Sequence, residues 1–113
     1  MKATLEKLLL KLTSTKQNKE WVQIASSTGA NSVTFADLTT QGYTEIYIKD
    51  GTFGGVLIPI TALPTVAVWG GHYGGVNGLL HGVDISSTSM KGHYGQTDSA
   101  NYLATMTFYL YAR

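Results

Sequence analysis

Thr105-Met106-Thr107-Phe108-Tyr109-Leu110-Tyr111 is the stretch whose reading decides the fold. Apolar and polar side chains alternate through it. In an extended chain Met106, Phe108 and Leu110 therefore share one face, while Thr105, Thr107, Tyr109 and Tyr111 share the other. The first face suits a core; the second suits a surface or an interface.

The same period of two runs back from this stretch as far as Trp21, broken at short intervals by turn residues. Strands are predicted at 21–25, 32–35, 43–48, 56–60, 65–69, 79–85 and 90–94 as well as 105–111. Asp50-Gly51 is a strong hairpin signal and Asn77-Gly78 is a second hairpin candidate. Pro59 removes a ladder donor and predicts an edge or a bulge in its strand, which Pro64 closes. About eight short strands with few charges inside them predict an all-β fold, an antiparallel jelly-roll-like β-sandwich. An up-and-down barrel is the alternative, because periodicity counts strands without ordering them.

Upstream the period changes. Leu5, Leu8, Leu9 and Leu12 recur at three- and four-residue spacing with Glu6, Lys7 and Lys11 on the opposite face, which predicts a short helix over 3–14. A helix this short is marginal in water without a partner, so the four leucines are candidate assembly residues. Residues 14–20 are polar and read as a linker. The expected organisation is a helix and linker over 1–20, followed by a β-sandwich domain over 21–113.

Composition narrows the function classes. The 113 residues contain no Cys, which removes disulfides, thiolate metal sites and a Cys nucleophile. Charged residues are only 13%, about half the usual share, as in extracellular or virion β domains. Five of the eight basic residues fall in residues 1–20, leaving Lys49, Lys91 and Arg113 in the body. The body has no basic stripe with aromatic interleaving, so no nucleic-acid partner is expected. No run approaches the ~20 apolar residues of a membrane span, and Glu6, Lys7 and Lys11 interrupt any export signal, so neither membrane insertion nor secretion by a leader is expected.

Catalytic patterns are missing from the local sequence. There is no Gly-x-Ser-x-Gly elbow and no phosphate loop, and Asp37, Glu45, Asp50, Asp84 and Asp98 all adjoin turn or polar residues, where a carboxylate usually faces water. No enzyme activity and no cofactor are expected. Gly71-His72-Tyr73-Gly74 recurs as Gly92-His93-Tyr94-Gly95, with His81 between the copies. The spacing does not match paired metal ligands, so no metal site is assigned. The flanking glycines suit tight turns or close strand approach, so two strands are expected to reuse one pairing solution. Trp69, His72, Tyr73, His93, Tyr94 and Tyr102 are the candidate ligand or interface surface, because aromatic rings beside hydroxyl and amide groups can stack on a sugar or fill a protein interface. Packing within the strands accounts for such residues equally well.

The arrangement resembles the small β domains of tailed-phage virion proteins, found as tail, baseplate or head-fibre appendages and in receptor-binding proteins. The resemblance is carried by the Leu-rich N-terminal helix, Trp21-Val22-Gln23-Ile24, Tyr43-Thr44-Glu45-Ile46-Tyr47-Ile48, Ile58-Pro59-Ile60 leading to Leu63-Pro64, the Gly-rich run from Gly70 to Gly75, Val83-Asp84-Ile85-Ser86 with Ser89-Met90-Lys91, and Phe108-Tyr109-Leu110-Tyr111-Ala112-Arg113. It implies a non-enzymatic structural protein located in the virion, commonly a homotrimer, that contacts other virion proteins and in some members host cell-surface saccharide. It transfers no ligand residue to this chain. A free carbohydrate-binding, lectin-like module is the alternative function.

Overall fold

The computed structural model describes residues 20–51, 54–73, 76–96 and 103–113. Eight strands occur among them: β1 (Val22–Thr28), β2 (Ser32–Thr34), β3 (Glu45–Asp50), β4 (Gly55–Pro59), β5 (Thr65–Tyr73), β6 (Val76–Ile85), β7 (Ser89–Gln96) and β8 (Thr107–Ala112). They form two antiparallel sheets, ordered β1-β8-β3-β4 and β2-β7-β6-β5. Each strand expected from the sequence is present, and the fold is an all-β sandwich. The helix expected over 3–14, with Leu5, Leu8, Leu9 and Leu12, lies outside the described residues.

The strand that opened the sequence reading sits inside its sheet, between β1 and β3. Its alternation is realised as expected: Phe108, Leu110 and Ala112 are fully buried, while Tyr109 and Tyr111 face outward and are only half-buried. Ile46 and Ile48 of β3 meet Val83 and Ile85 of β6 and Met90 of β7 in the same core, which Leu38 and Ile60 join from short 3-10 turns. Burying each such side chain is worth ~1.5–3 kcal/mol, so the inward face of β8 and β3 carries a large part of the driving force.

Asp50 N–H donates to the Gly54 carbonyl at 3.2 Å at the base of the β3–β4 hairpin, which lies where the Asp-Gly pair predicted one, although Asp50 itself belongs to β3 and the positive φ falls at Gly54. Pro59 ends β4, which is an edge strand. Asn77-Gly78 is a correction. Both residues lie inside β6, which the ladder begins at Val76, paired with Tyr73. Gly71 pairs with Leu79, so Asn77 and Gly78 together oppose His72, and the small residues serve an irregularity in the ladder instead of a turn.

Gly92 sets how closely two elements approach. A Cβ on it would meet the Gly29 carbonyl oxygen at 2.0 Å and Phe108 Cε2 at 2.9 Å, so the β1–β2 turn rests directly on the backbone of β7. Gly29 itself turns with φ +62°, which a glycine adopts without strain. Gly92→Ala is expected to cost about 1–3 kcal/mol in urea denaturation, since backbone cannot move aside as a flexible side chain does. Gly51→Ala, with open space around it, is the control and should leave the midpoint in place.

Asp37 caps the 3-10 turn at Leu38–Thr40. Its Oδ1 accepts from Thr39 N–H at 2.9 Å and Thr39 Oγ1 at 2.7 Å. Leu38, fully buried, is held by its own N–H to the Ser87 carbonyl. The Thr39 hydroxyl first, then the Thr39 backbone N–H, hold the Asp37 carboxyl below the ordinary carboxylate range; burial opposes each of them by less, and the Ser87 hydroxyl adds the smallest lowering. A lowered folded-state pKa gives stability that is present above the unfolded value and disappears as pH falls through the folded value. The melting temperatures of wild type and Asp37→Ala should therefore differ at neutral pH and converge below the carboxylate range. A difference that persists unchanged at low pH would exclude the charged cap.

Candidate functional site

Three polar side chains meet between the sheets. Asp50 continues the phase of Ile46 and Ile48 along β3 and so points inward. Trp69 of β5 and His81 of β6 are cross-strand neighbours on the facing sheet. The indole Nε1–H donates to Asp50 Oδ2 at 2.7 Å, and His81 Nδ1 lies 2.5 Å from the same oxygen. A carboxylate oxygen only accepts, so the imidazole presents Nδ1–H to it. Asp50, His81 and Trp69 are 5%, 3% and 8% exposed.

Two expectations change here. Trp69, a candidate for the ligand surface, is a core residue that also packs edge-on against Phe108 with ring centroids 5.9 Å apart. Asp50, read as a water-facing turn acid, is buried, because β3 extends through it and pairs it with Phe108 before the turn begins. An imidazole oriented by a carboxylate is also the geometry of a general base, but these groups are closed off from solvent and their arrangement ties the two sheets together. Asp50→Ala is expected to cost on the order of 3–5 kcal/mol by chemical denaturation, as it strips the partner from two buried donors. Asp50→Asn keeps an acceptor oxygen and should cost less; equal costs would refute the two-donor account.

The outward face of the sheet containing β8 has tyrosines, and the sequence left their use open. The Arg113 guanidinium stands 4.3 Å from the Trp21 ring centroid, and its Nε donates to Glu45 Oε1 at 2.6 Å. Trp21 and Tyr47 are 6.0 Å apart, and the Lys49 ammonium lies 5.4 Å from the Tyr111 ring. These rings and charges satisfy one another across neighbouring strands, which is ordinary cross-strand packing.

The opposite outer face, on the sheet of β5, β6 and β7, is arranged differently. Along the β6–β7 ladder Gly82 pairs with Tyr94 and the next residue, Val83, pairs with Gly92, so His93 is the extra residue of a bulge. A bulge lets two consecutive side chains share a face. Gly92 and Gly95 are buried on the core side, while His93 and Tyr94 stand beside each other outside, with ring centroids 4.2 Å apart. The Tyr94 ring lies over Gly82, where a Cβ would come within 3.1 Å of it. His93 Nδ1 is 2.9 Å from both carboxylate oxygens of Asp84. Asp84 pairs across the ladder with Lys91, and both line a groove of about 450 Å³ with Ser32, Val66, Ser86 and Ser89. Hydroxyls, one carboxylate and one ammonium around an aliphatic wall, with a half-exposed imidazole and phenol alongside, make a surface that can hydrogen-bond and stack on a polar ligand.

Of the expected surface residues, the structure thus brings His93 and Tyr94 together and removes Trp69. His72 and Tyr73 are placed by the ladder at the end of β5, and Tyr102 lies outside the described residues. Both copies of the Gly-His-Tyr repeat coincide with an irregularity of a ladder to β6, the first at Gly71/Tyr73 and the second at His93. Asp84, Lys91, Ser32 and Val66 were not singled out as a site by sequence. Adjacent His93 and Tyr94 between glycines, breaking the alternation, was the signal that could have pointed there. Among the described residues no three His, Asp or Glu side chains converge as a metal site would require. In comparisons with known proteins no family model, curated protein or solved structure matches the chain.

Proposed function

We propose that this chain is a non-enzymatic virion structural protein of tailed-phage type, a tail, baseplate or fibre appendage that assembles as a homotrimer and presents the His93–Tyr94 face to host-surface saccharide. The observation that carries the reading is the bulge at His93. It sets a phenol and an imidazole side by side on an outer face, next to the hydroxyl-lined groove of Asp84 and Lys91. Aromatic faces beside hydrogen-bonding side chains suit pyranose rings, which offer C–H faces and hydroxyl edges.

The strand order supports a relative of the jelly roll. First and last strands lie side by side, and the second lies beside the second-last, as in a long hairpin rolled on itself; the hairpins β3–β4 and β5–β6 then keep later strands with their sequence neighbours. The assembly role falls to Leu5, Leu8, Leu9 and Leu12, whose apolar stripe requires a partner.

Two measurements on the full chain test the reading. On an array of bacterial surface oligosaccharides, wild type should bind, and Tyr94→Ala should weaken binding about tenfold, equivalent to ~1.4 kcal/mol. In light scattering the mass should contain three-copy units, and Leu5→Asp with Leu12→Asp should dissociate them. A monomer that binds the array would favour the free lectin-like module, and a monomer that binds nothing on it would overturn both readings.

A further inference from the structure

Four strands form the edges of the two sheets, β1 and β4 in one and β2 and β5 in the other. An edge strand exposes backbone donors and acceptors to any other strand, and proteins guard such edges with bulges, prolines, charges or short length. Three of the four are guarded here. β1 has a bulge between Gln23 and Ala25, β4 ends in Pro59 after five residues, and β2 is three residues long.

β5 has no such guard over Thr65–Gly70. It is nine residues long, contains no Lys, Arg, Asp, Glu or Pro, and runs in unbroken register with β6 from Thr65 to Gly71. Among the described residues, no backbone hydrogen bond from Thr65 to Gly70 leads anywhere but along its own ladder. Ala67 and Trp69 face the core, while Val66 and Val68 stand on the outer face at 48% and 44% exposure. β4, the edge strand of the other sheet, lies beside β5.

We infer that β5 is a self-pairing edge, joined antiparallel to β5 of a second copy about a two-fold axis through Ala67. In this register Val66 lies opposite Val68 of the second copy, Thr65 lies opposite Trp69, and Pro64, which has no N–H, falls just outside the ladder. The axis is perpendicular to the sheet, so the core side of each strand remains on the core side and the two four-stranded sheets become one of eight. The occupant is a second copy because the segment is self-complementary. It carries no charge to repel its own image and none to select a charged partner, and its two exposed side chains are of the same kind and placed symmetrically about the axis. The contact also puts the two His93–Tyr94 faces on the same side of the joined sheet.

This contact is independent of the three-copy contact proposed for the N-terminal leucines, and separate variants test them. Because the chain contains no Cys, introduced thiols report the register directly. When Val66→Cys and Val68→Cys proteins are mixed and oxidised, the mixed disulfide should dominate over both homodimers, because 66 faces 68 across the axis while like positions lie ~8 Å apart, beyond bridging reach. Val66→Lys with Val68→Lys, on exposed positions, should halve the light-scattering mass of wild type while Leu5→Asp with Leu12→Asp leaves the β5 pair intact. Equal yields of the three disulfides, or a mass that the two lysines leave unchanged, would overturn the inference.

Discussion

A carboxylate enclosed between two sheets is the constraint on which the rest of this structure depends. Removing a charge from water costs several kcal/mol unless donors replace the lost hydration. Asp50 recovers it from the Trp69 indole and the His81 imidazole, both on the facing sheet. The requirement is geometric. Trp69 and His81 must stay opposite each other in the β5–β6 ladder, and both must meet the end of β3. A slip of one residue in either strand would turn a donor outward and strand the charge, so a single polar cluster specifies register and sheet facing that apolar packing alone would fix less sharply.

Around that cluster the sandwich divides its labour between inner and outer faces. Glycines make the inner contacts close: Gly92 lets the turn at Gly29 reach β7, and Gly95 leaves room for Met106 and Leu103. The outer faces differ in how far they are already satisfied. On the β8 side Arg113, Trp21, Tyr47, Lys49 and Tyr111 engage one another. On the β6 side the bulge at His93 leaves a half-exposed phenol and imidazole next to an open groove. Surface chemistry therefore concentrates on the sheet whose edge is also the least guarded.

Much of the architecture was legible in the sequence. Phe108, Leu110, Ile46 and Ile48 occupy alternate positions, and alternation forces alternate faces whatever the tertiary fold, so all eight strands could be located. Asp50-Gly51 marked the place of the β3–β4 hairpin, although Asp50 itself ends the strand and the positive φ falls at Gly54. Asn77-Gly78 carried the same local signal yet ended inside β6, which the ladder begins at Val76. Trp69 was misplaced for a related reason: a strand's two faces are distinguishable by period, but which of them meets the core depends on the opposite sheet.

The sequence by itself determined the strands, the division of each into two alternating faces, and the shortage of charge that keeps β5 uncharged along its length. Those properties follow from side-chain spacing and composition, which are local. Only the tertiary structure decided that Asp50 finds Trp69 and His81, that the repeat at His93 becomes a bulge, and that Asp84, Lys91 and Ser32 share a groove. The register that makes the bulge is set within the β6–β7 hairpin, but the meeting of Asp50 with Trp69 and the pairing of β1 with β8 join residues 19 and 79 positions apart. No local pattern carries that information, because the free energy that selects the pairing arises only when distant strands are brought together.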